Sequence, residues 1–375
     1  MAEEDALDAL RAELDALDDT LLELAAQRMG VVERIGALKA GAERPLFDRE
    51  RERGVLDRAR RKAASLGLPE QVGEDLVHGL VEASHQLQGA RMAYARAATT
   101  RRVLVVGGRG KMGSLFARAF SERGHEVDIL EKDDGCDRPA AARAADVVIV
   151  SVDMDAAEAV TQALAPHIRP DALLCDLNSL KERVCGVYEG MLHGEGLGLH
   201  PMFGGTVRSL HRQKVVVCRV RSGPLTDWMC AELGALGLEL VEVDPSTHDR
   251  MMAVVQVLLH FITVVMGNAF RRTGVPVRES LRFTSPIYRL ELSVVARLFA
   301  QDPDLYASII LDNPHSAEMR AHFLEAAREV QAAVEAGDRE EFRRVFREVD
   351  AYFAGFSEEA MRMSDALIDF LVARA

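Results

Sequence analysis

The chain has 375 residues, 48% of them hydrophobic and 28% charged, too apolar for a disordered protein and too long for one ordinary core, so two or three domains are expected. The net charge is −13, and neither the first hundred residues (14 Lys and Arg against 19 Asp and Glu) nor the rest (32 against 40) is a basic module, which argues against nucleic acid as a partner. The acidic start Met1-Ala-Glu-Glu-Asp5 lacks the basic character of an export leader, and five cysteines without a CxxC pair suit a reducing, cytoplasmic setting better than a disulfide frame or a metal site.

Residues 1–90 read as helix almost throughout. Leu7, Leu10, Leu14, Leu17, Leu21 and Leu24 alternate threes and fours and give one apolar seam. The pattern breaks near Gly41 to Pro45, resumes near Asp48, and forms a third helix from about Glu70 to Gln88. Three helices with one long member close a poor core, so two chains are expected to pair. Residues 91–100 read as a connector. From Arg101 the run Val103–Val106, a glycine-rich turn, a helix to Gly124 and the run Val127–Leu130 make a βαβ opening. Apolar runs at Val147–Ser151, Leu173–Asp176, Leu197–Leu199 and Val215–Cys218 extend this Rossmann-type α/β domain over 101–245. Helical periodicity then fills 246–375, with breaks at Pro276, Pro303 and Gly337. Met251 to Phe270 is long enough to span a membrane, but it contains Gln256, His260 and Thr263 and has no aromatic or basic belts, so it reads as a buried core helix and no membrane is expected.

On the first helix Arg28 falls where the seam calls for an apolar residue, so an anion is expected to meet it. Lys39 returns to nearly the same face roughly 16 Å further along, whereas Arg11 is rotated by about 100° and suits another site, such as one on a partner chain. Asp48, Arg51 and Glu52 cluster at the start of the second helix, and Ser84 and Gln88 share a face of the third. Gly108-Arg109-Gly110-Lys111-Met112-Gly113 fits GxGxxG in the right context, with Glu131 closing the second strand. Gly108 is expected to permit the tight turn, Gly110 to admit a pyrophosphate and Gly113 to let the helix pack closely. Glu131 favours NAD over NADP, while Arg109 and Lys132 leave some tolerance for NADP. Ser151 and Val152 follow a core strand and are expected to line the nicotinamide pocket. His200, in Leu199-His-Pro-Met-Phe-Gly204, stands just past a strand, where α/β sheets present ligand-facing residues.

Together Arg11, Arg28, Lys39, Asp48, Arg51, Glu52, Ser84 and Gln88 resemble the active site of the all-helical chorismate mutases over roughly residues 5–90. His200, Asp176-Leu-Asn-Ser179-Leu-Lys181, His248-Asp249, His260, Arg289 and Arg297 look like those of prephenate dehydrogenase. Their fusion resembles the bifunctional chorismate mutase/prephenate dehydrogenases of tyrosine biosynthesis. The resemblance implies a three-helix mutase domain, an NAD-binding domain and an all-α dimerisation domain in a homodimer. It also implies that Arg11 and Arg28 grip the chorismate carboxylates, Arg51 lies near the ring hydroxyl, Asp48, Glu52 and Ser84 orient, and Lys39 and Gln88 bond the ether oxygen. For prephenate it implies His200 on the hydroxyl, Ser179 holding hydroxyl and nicotinamide in register and Arg297 on the ring carboxylate, with Arg289 and His260 as further binding groups. Tyrosine is expected as a feedback inhibitor. Two alternatives stay open: arogenate as the oxidised substrate, and a mutase-like part that only senses. Gly205-Thr206 follows the His200 run where the family often has Pro-Asp, and Asp153 stands where proline is common.

Overall fold

The computed structural model of the protein describes residues 2–40, 49–94, 97, 99–135, 137–207 and 209–372. Asp48 lies outside the described residues, as do the side chains of Lys39 and Gln88.

The N-terminal part is α1 (Ala2–Ala40), α2 (Arg49–Ser65) and α3 (Glu70–Tyr94), the last running into the expected connector. Helices α2 and α3 form a tight hairpin. A methyl group at Gly73 would stand 2.6 Å from the Ala63 Cβ, and Arg60 makes a two-pronged bond to Glu74 at 2.6 and 2.5 Å. By contrast α1 is largely uncovered: the seam leucines from Leu7 to Leu24 are 48–60% exposed. A 39-residue helix with such a stripe needs a partner to cover it.

The middle of the chain alternates β1 (Arg102–Val106), α4 (Lys111–Glu122), β2 (Glu126–Leu130), α5 (Arg138–Ala144), β3 (Val147–Val150), α6 (Met154–Leu164), β4 (Leu173–Asp176), α7 (Glu182–Met191) and β5 (Glu195–Pro201). There follow β6 (Lys214–Arg221), α8 (Pro224–Ala235) and β7 (Glu239–Glu242). Among the described residues one seven-stranded sheet has the order β2-β1-β3-β4-β5-β6-β7. The first five strands are parallel, and β6 runs antiparallel to β5. The inner strands are continuous apolar runs because both faces are buried. Val103 and Val105 pack with Phe116 and Phe120 on one face, and Leu104 and Val106 with Leu164 and Tyr188 on the other. The order reverses between β1 and β3, the crevice where open α/β sheets take ligands.

The C-terminal part is helical: α9 (Pro245–Met252) passes through a π-helical turn (Ala253–Leu258) into α10 (Leu259–Thr273). It continues with α11 (Val277–Ser280), α12 (Pro286–Phe299), α13 (Pro303–Asp312), α14 (Ser316–Glu335), α15 (Arg339–Phe353) and α16 (Ser357–Val372). Pro276 and Pro303 fall at helix starts, and Gly337 takes φ +62° between α14 and α15. The expected burial of Met251–Phe270 is corrected here. The helix Pro245–Thr273 is long and apolar enough to cross a membrane, yet only 17% of its most apolar window is buried within the chain. Met251, Val254, Val255 and Leu259 are exposed. Its covered side packs against α12, where Gly267 leaves room for the Phe299 ring.

Arg123 at the end of α4 donates to Glu232 of α8 from Nε (2.6 Å) and Nη2 (3.1 Å), all three groups of the Arg123–Glu232–His125 cluster being buried. Burial opposes the charge on Glu232, but hydrogen bonds from His125 and Arg123 outweigh it and hold the carboxyl at about 2 instead of 4.5. A depressed carboxyl contributes stability above pH 4.5 that is lost as pH falls toward 2. Glu232→Gln, which removes the negative charge from the buried Arg123–Glu232 pair, is expected to cost about 3–5 kcal/mol at pH 7 in chemical denaturation, and the deficit should shrink on acidification.

Candidate functional site

Three groups of side chains stand out. In the N-terminal part Arg28 of α1 reaches α3, its Nη1 donating to Ser84 Oγ (2.6 Å) and to the Leu80 carbonyl (2.8 Å). Partial burial lowers the Arg28 pKa, the mark of a guanidinium drawn out of water. Two predicted residues thus meet. Arg11 does not join them: it is exposed, pairs with Asp8 at 3.1 Å, and lies 17 residues from Arg28, about 25 Å along a straight helix. Arg51 and Glu52 lie in the first turns of α2, where Glu50, Arg51, Gly54, Val55 and Arg58 line an open hollow of about 400 Å³.

The second group is the turn after β1. Gly107, not Gly108, carries the left-handed backbone (φ +81°), and a methyl group there would stand 2.3 Å from the Ser151 carbonyl oxygen. That corrects the role expected of Gly108, whose missing Cβ instead makes room for Ile129. Gly110 is the N-cap of α4, with φ −64° and ψ 164°, and no side chain occupies the cap. A methyl group at Gly113 would stand 2.4 Å from the Gly107 carbonyl. No side chain bonds the first-turn N–H groups of α4, the place where a helix start takes an anion, and Gly205 lies close to the Met112 nitrogen. Glu131 ends the second strand's run and accepts from the Arg109 backbone N–H at 2.7 Å. Asp134, which the sequence reading passed over, accepts from the Glu131 N–H (2.8 Å) and pairs with the Arg109 guanidinium (3.2 Å). Ser151 and Val152 follow β3 directly beside this turn, and Asp153 stands at the N-cap position of α6 without a side-chain capping bond. These residues fit a dinucleotide: glycines at the closest approaches of the turn, a helix N-terminus without a side-chain cap and an acid placed for ribose hydroxyls.

The third group lies at the carboxyl ends of β4 and β5. Asp176 pairs with Gly198 in the parallel register, so Ser179 and His200 emerge at the same edge of the sheet. Lys181 is fully buried, its ammonium bonded to Asp176 and to the Leu199 carbonyl (3.0 Å), while Tyr188 donates to the other Asp176 oxygen (3.1 Å). Gly198 of β5 has no side chain, and a Cβ there would meet the Lys181 stem at 3.0 Å. His200 is buried, with Nδ1 2.9 Å from His248 Nε2, and Gln256 Nε2 donates to its Nε2 at 3.3 Å. Burial, then His248 and Lys181, push its pKa well below 6.5, so the imidazole is neutral near pH 7. The Asn178 side-chain nitrogen is buried and has no hydrogen-bond partner among the described residues. Gln256 sits in the π-helical turn, four residues before His260, whose ring stands edge-on to Tyr306 at 4.9 Å. Tyr306 in turn feels the charge of Arg297 on α12. Arg289 is exposed on α12, and no ion pair joins it to Glu291. Nothing in spacing singles out Gln256, because its approach to His200 depends on the widened helix.

A loop links the second and third groups. A methyl group at Gly205 would stand 2.5 Å from the Lys111 backbone, so the segment after His200 lies on the start of α4.

Residues 10–89 match the family described as chorismate mutase type II. Residues 120–223 match the nucleotide-binding domain of prephenate dehydrogenase, and residues 244–348 its dimerization domain. The chain is 33% identical over 362 residues to the T-protein of Enterobacter agglomerans, covering 96% of this chain and 97% of that one. It is 32% identical over 364 residues to the T-protein of Haemophilus influenzae, covering 97% of each. Among solved structures, prephenate dehydrogenase from Aquifex aeolicus in complex with hydroxyphenyl propionate and NAD+ aligns with a TM-score of 0.56 at 18% identity, covering 69% of this chain and 99% of that one, a likeness of fold.

Gly113→Ala is expected to weaken NADH binding at least about tenfold, read by fluorescence titration, because the new methyl group forces α4 away from the Gly107 carbonyl.

Proposed function

Because the chain belongs to the T-protein family, in which a chorismate mutase is joined to a prephenate dehydrogenase, we propose that the side chains described above divide that work as follows. The protein rearranges chorismate to prephenate and oxidises prephenate with NAD to 4-hydroxyphenylpyruvate and CO2.

The first reaction needs no nucleophile, proton transfer or cofactor, only a shaped and positively charged pocket. Arg28, held by Ser84, grips one carboxylate, and Arg11 of a second copy grips the other. The distance between them along α1 supports this sharing, and the uncovered leucine seam supports the pairing it requires. Arg51 meets the ring hydroxyl, with Asp48 and Glu52 orienting it. Lys39 and Gln88 donate to the ether oxygen, where negative charge grows as the C–O bond breaks, so they favour the transition state over the ground state.

In the second reaction the carbinol carbon of prephenate loses hydride and the ring aromatises as CO2 leaves. NAD, when bound, accepts the hydride. Glu131 receives the ribose hydroxyls, and Asp134 occupies Arg109, which otherwise could attract a 2′-phosphate; both support NAD over NADP. Neutral His200 accepts the hydrogen bond of the substrate hydroxyl, feeding electron density toward the carbon that gives up hydride. Ser179, at the same sheet edge, keeps hydroxyl and nicotinamide in register. Arg297 holds the ring carboxylate, with His260 and Arg289 on the remaining anionic groups. The single observation that supports this division most is the contact of Gly205 with the Lys111 backbone, which lays the His200 loop on the dinucleotide turn.

The exposed apolar face of α9 and α10 supports a homodimer through the C-terminal helices. Feedback inhibition by tyrosine and a cytoplasmic location complete the proposal, the latter in keeping with free Cys175, Cys185, Cys218 and Cys230.

Chorismate plus NAD should yield 4-hydroxyphenylpyruvate and NADH, and parallel assays with prephenate and arogenate should favour prephenate. His200→Asn should abolish NAD reduction and spare chorismate turnover, while Arg28→Ala should do the reverse; loss of both in either variant would overturn the division. With the His200 pKa lowered by burial, dehydrogenase kcat/KM should stay level through pH 6.5 and fall only in more acidic solution.

A further inference from the structure

We infer that Asp249 and His248 are positioning residues of the dehydrogenase, forming with His200 a buried relay that fixes which ring nitrogen of His200 faces the substrate. The inference rests on the assignment of His200 to the substrate hydroxyl. Asp249 is buried at the start of α7, where its Oδ1 accepts from the Lys181 N–H (2.8 Å) and its Oδ2 from the Glu182 N–H (3.0 Å). Its backbone carbonyl is in turn held by Asn313 Nδ2 at 2.9 Å.

The hydrogens follow from this anchor. A carboxylate can only accept, so the 2.7 Å contact between Asp249 Oδ1 and His248 Nδ1 puts the proton of neutral His248 on Nδ1. His248 Nε2 is then a bare acceptor, and the 2.9 Å contact with His200 Nδ1 places the His200 proton on Nδ1. His200 Nε2 is left bare, in agreement with the Gln256 amide donating to it at 3.3 Å. That bare nitrogen is the one able to accept from a substrate hydroxyl. As hydride departs, the hydroxyl proton shifts toward Nε2, and it returns to the oxygen when loss of CO2 leaves its C–C electrons in the aromatic ring. No proton is consumed or released. The relay spreads the transient positive charge of His200 toward Asp249.

Asp249→Asn reverses the chain. An amide that keeps its oxygen on the Glu182 N–H gives up the Lys181 N–H bond, turns its NH2 to His248 Nδ1, drives the His248 proton to Nε2 and so the His200 proton to Nε2. The expected result is a fall in dehydrogenase kcat of at least about 100-fold with KM for NAD and prephenate within about threefold. Chorismate turnover by the same preparation should be unchanged, and the 15N imidazole spectrum should show the protonated nitrogen of His200 exchanged. His248→Gln, which leaves the α7 cap intact, should lower kcat in the same way. Wild-type kcat in both relay variants, beside an inactive His200→Asn, would overturn the relay and leave the assignment of His200 standing. An active His200→Asn would overturn that assignment and the relay with it. A parallel rise of both KM values or an unchanged 15N pattern would reduce Asp249 to a helix cap and also overturn the relay.

Discussion

The dehydrogenase half depends on an ion pair placed where ion pairs are expensive. Lys181 and Asp176 are both fully buried, and neither would be tolerated there without the other. The pair is satisfied on all sides, by the Leu199 carbonyl for the ammonium and by Tyr188 for the carboxylate. Because Asp176 ends β4 and Leu199 precedes His200 on β5, this one cluster locks together the two strand ends that present Ser179 and His200. It also explains the glycines of β5. Gly196 leaves space for the Tyr188 ring and Gly198 for the Lys181 stem, so the strand gives up side chains to admit a polar brace. The ammonium then has an electrostatic effect, since its charge opposes protonation of His200.

The two halves solve different problems. In the mutase part Arg28 is drawn toward Ser84, and Arg11 is held far along the same helix. The sharing of Arg11 proposed above requires a second copy, which would also cover the exposed seam. In the dehydrogenase part a single chain brings the glycine turn, the loop after His200 and a buried, neutral imidazole together. Among the faces that chain leaves uncovered is the outer one of α9 and α10.

Much of this was legible in the sequence, for identifiable reasons. Strands buried on both faces appear as unbroken apolar runs, so Val147–Val150 and Leu173–Asp176 announce themselves. Arg28 was legible because a charge interrupted a leucine seam, and the glycine turn because its spacing is tied to backbone geometry. What escaped depended on contacts remote in sequence. Asp249 caps a helix 67 residues away, and no local pattern signals that. The shift of the tight-turn role from Gly108 to Gly107 is a matter of φ, which neighbouring glycines do not distinguish. Burial of Met251–Phe270 was misjudged because an apolar helix looks alike whether its own chain or another one covers it.

The widened turn between α9 and α10 carries an implication about inheritance. A π-turn is an ordinary helix with one residue added, and everything beyond it is rotated by about 100° and advanced by about 1.5 Å. Upstream stand His248 and Asp249, downstream His260, and Gln256 lies within the swelling. Loss of a single amino acid here would restore a tidy spiral while swinging the side chains around His200 out of reach of it, so this stretch tolerates exchange of letters more readily than a change in their number.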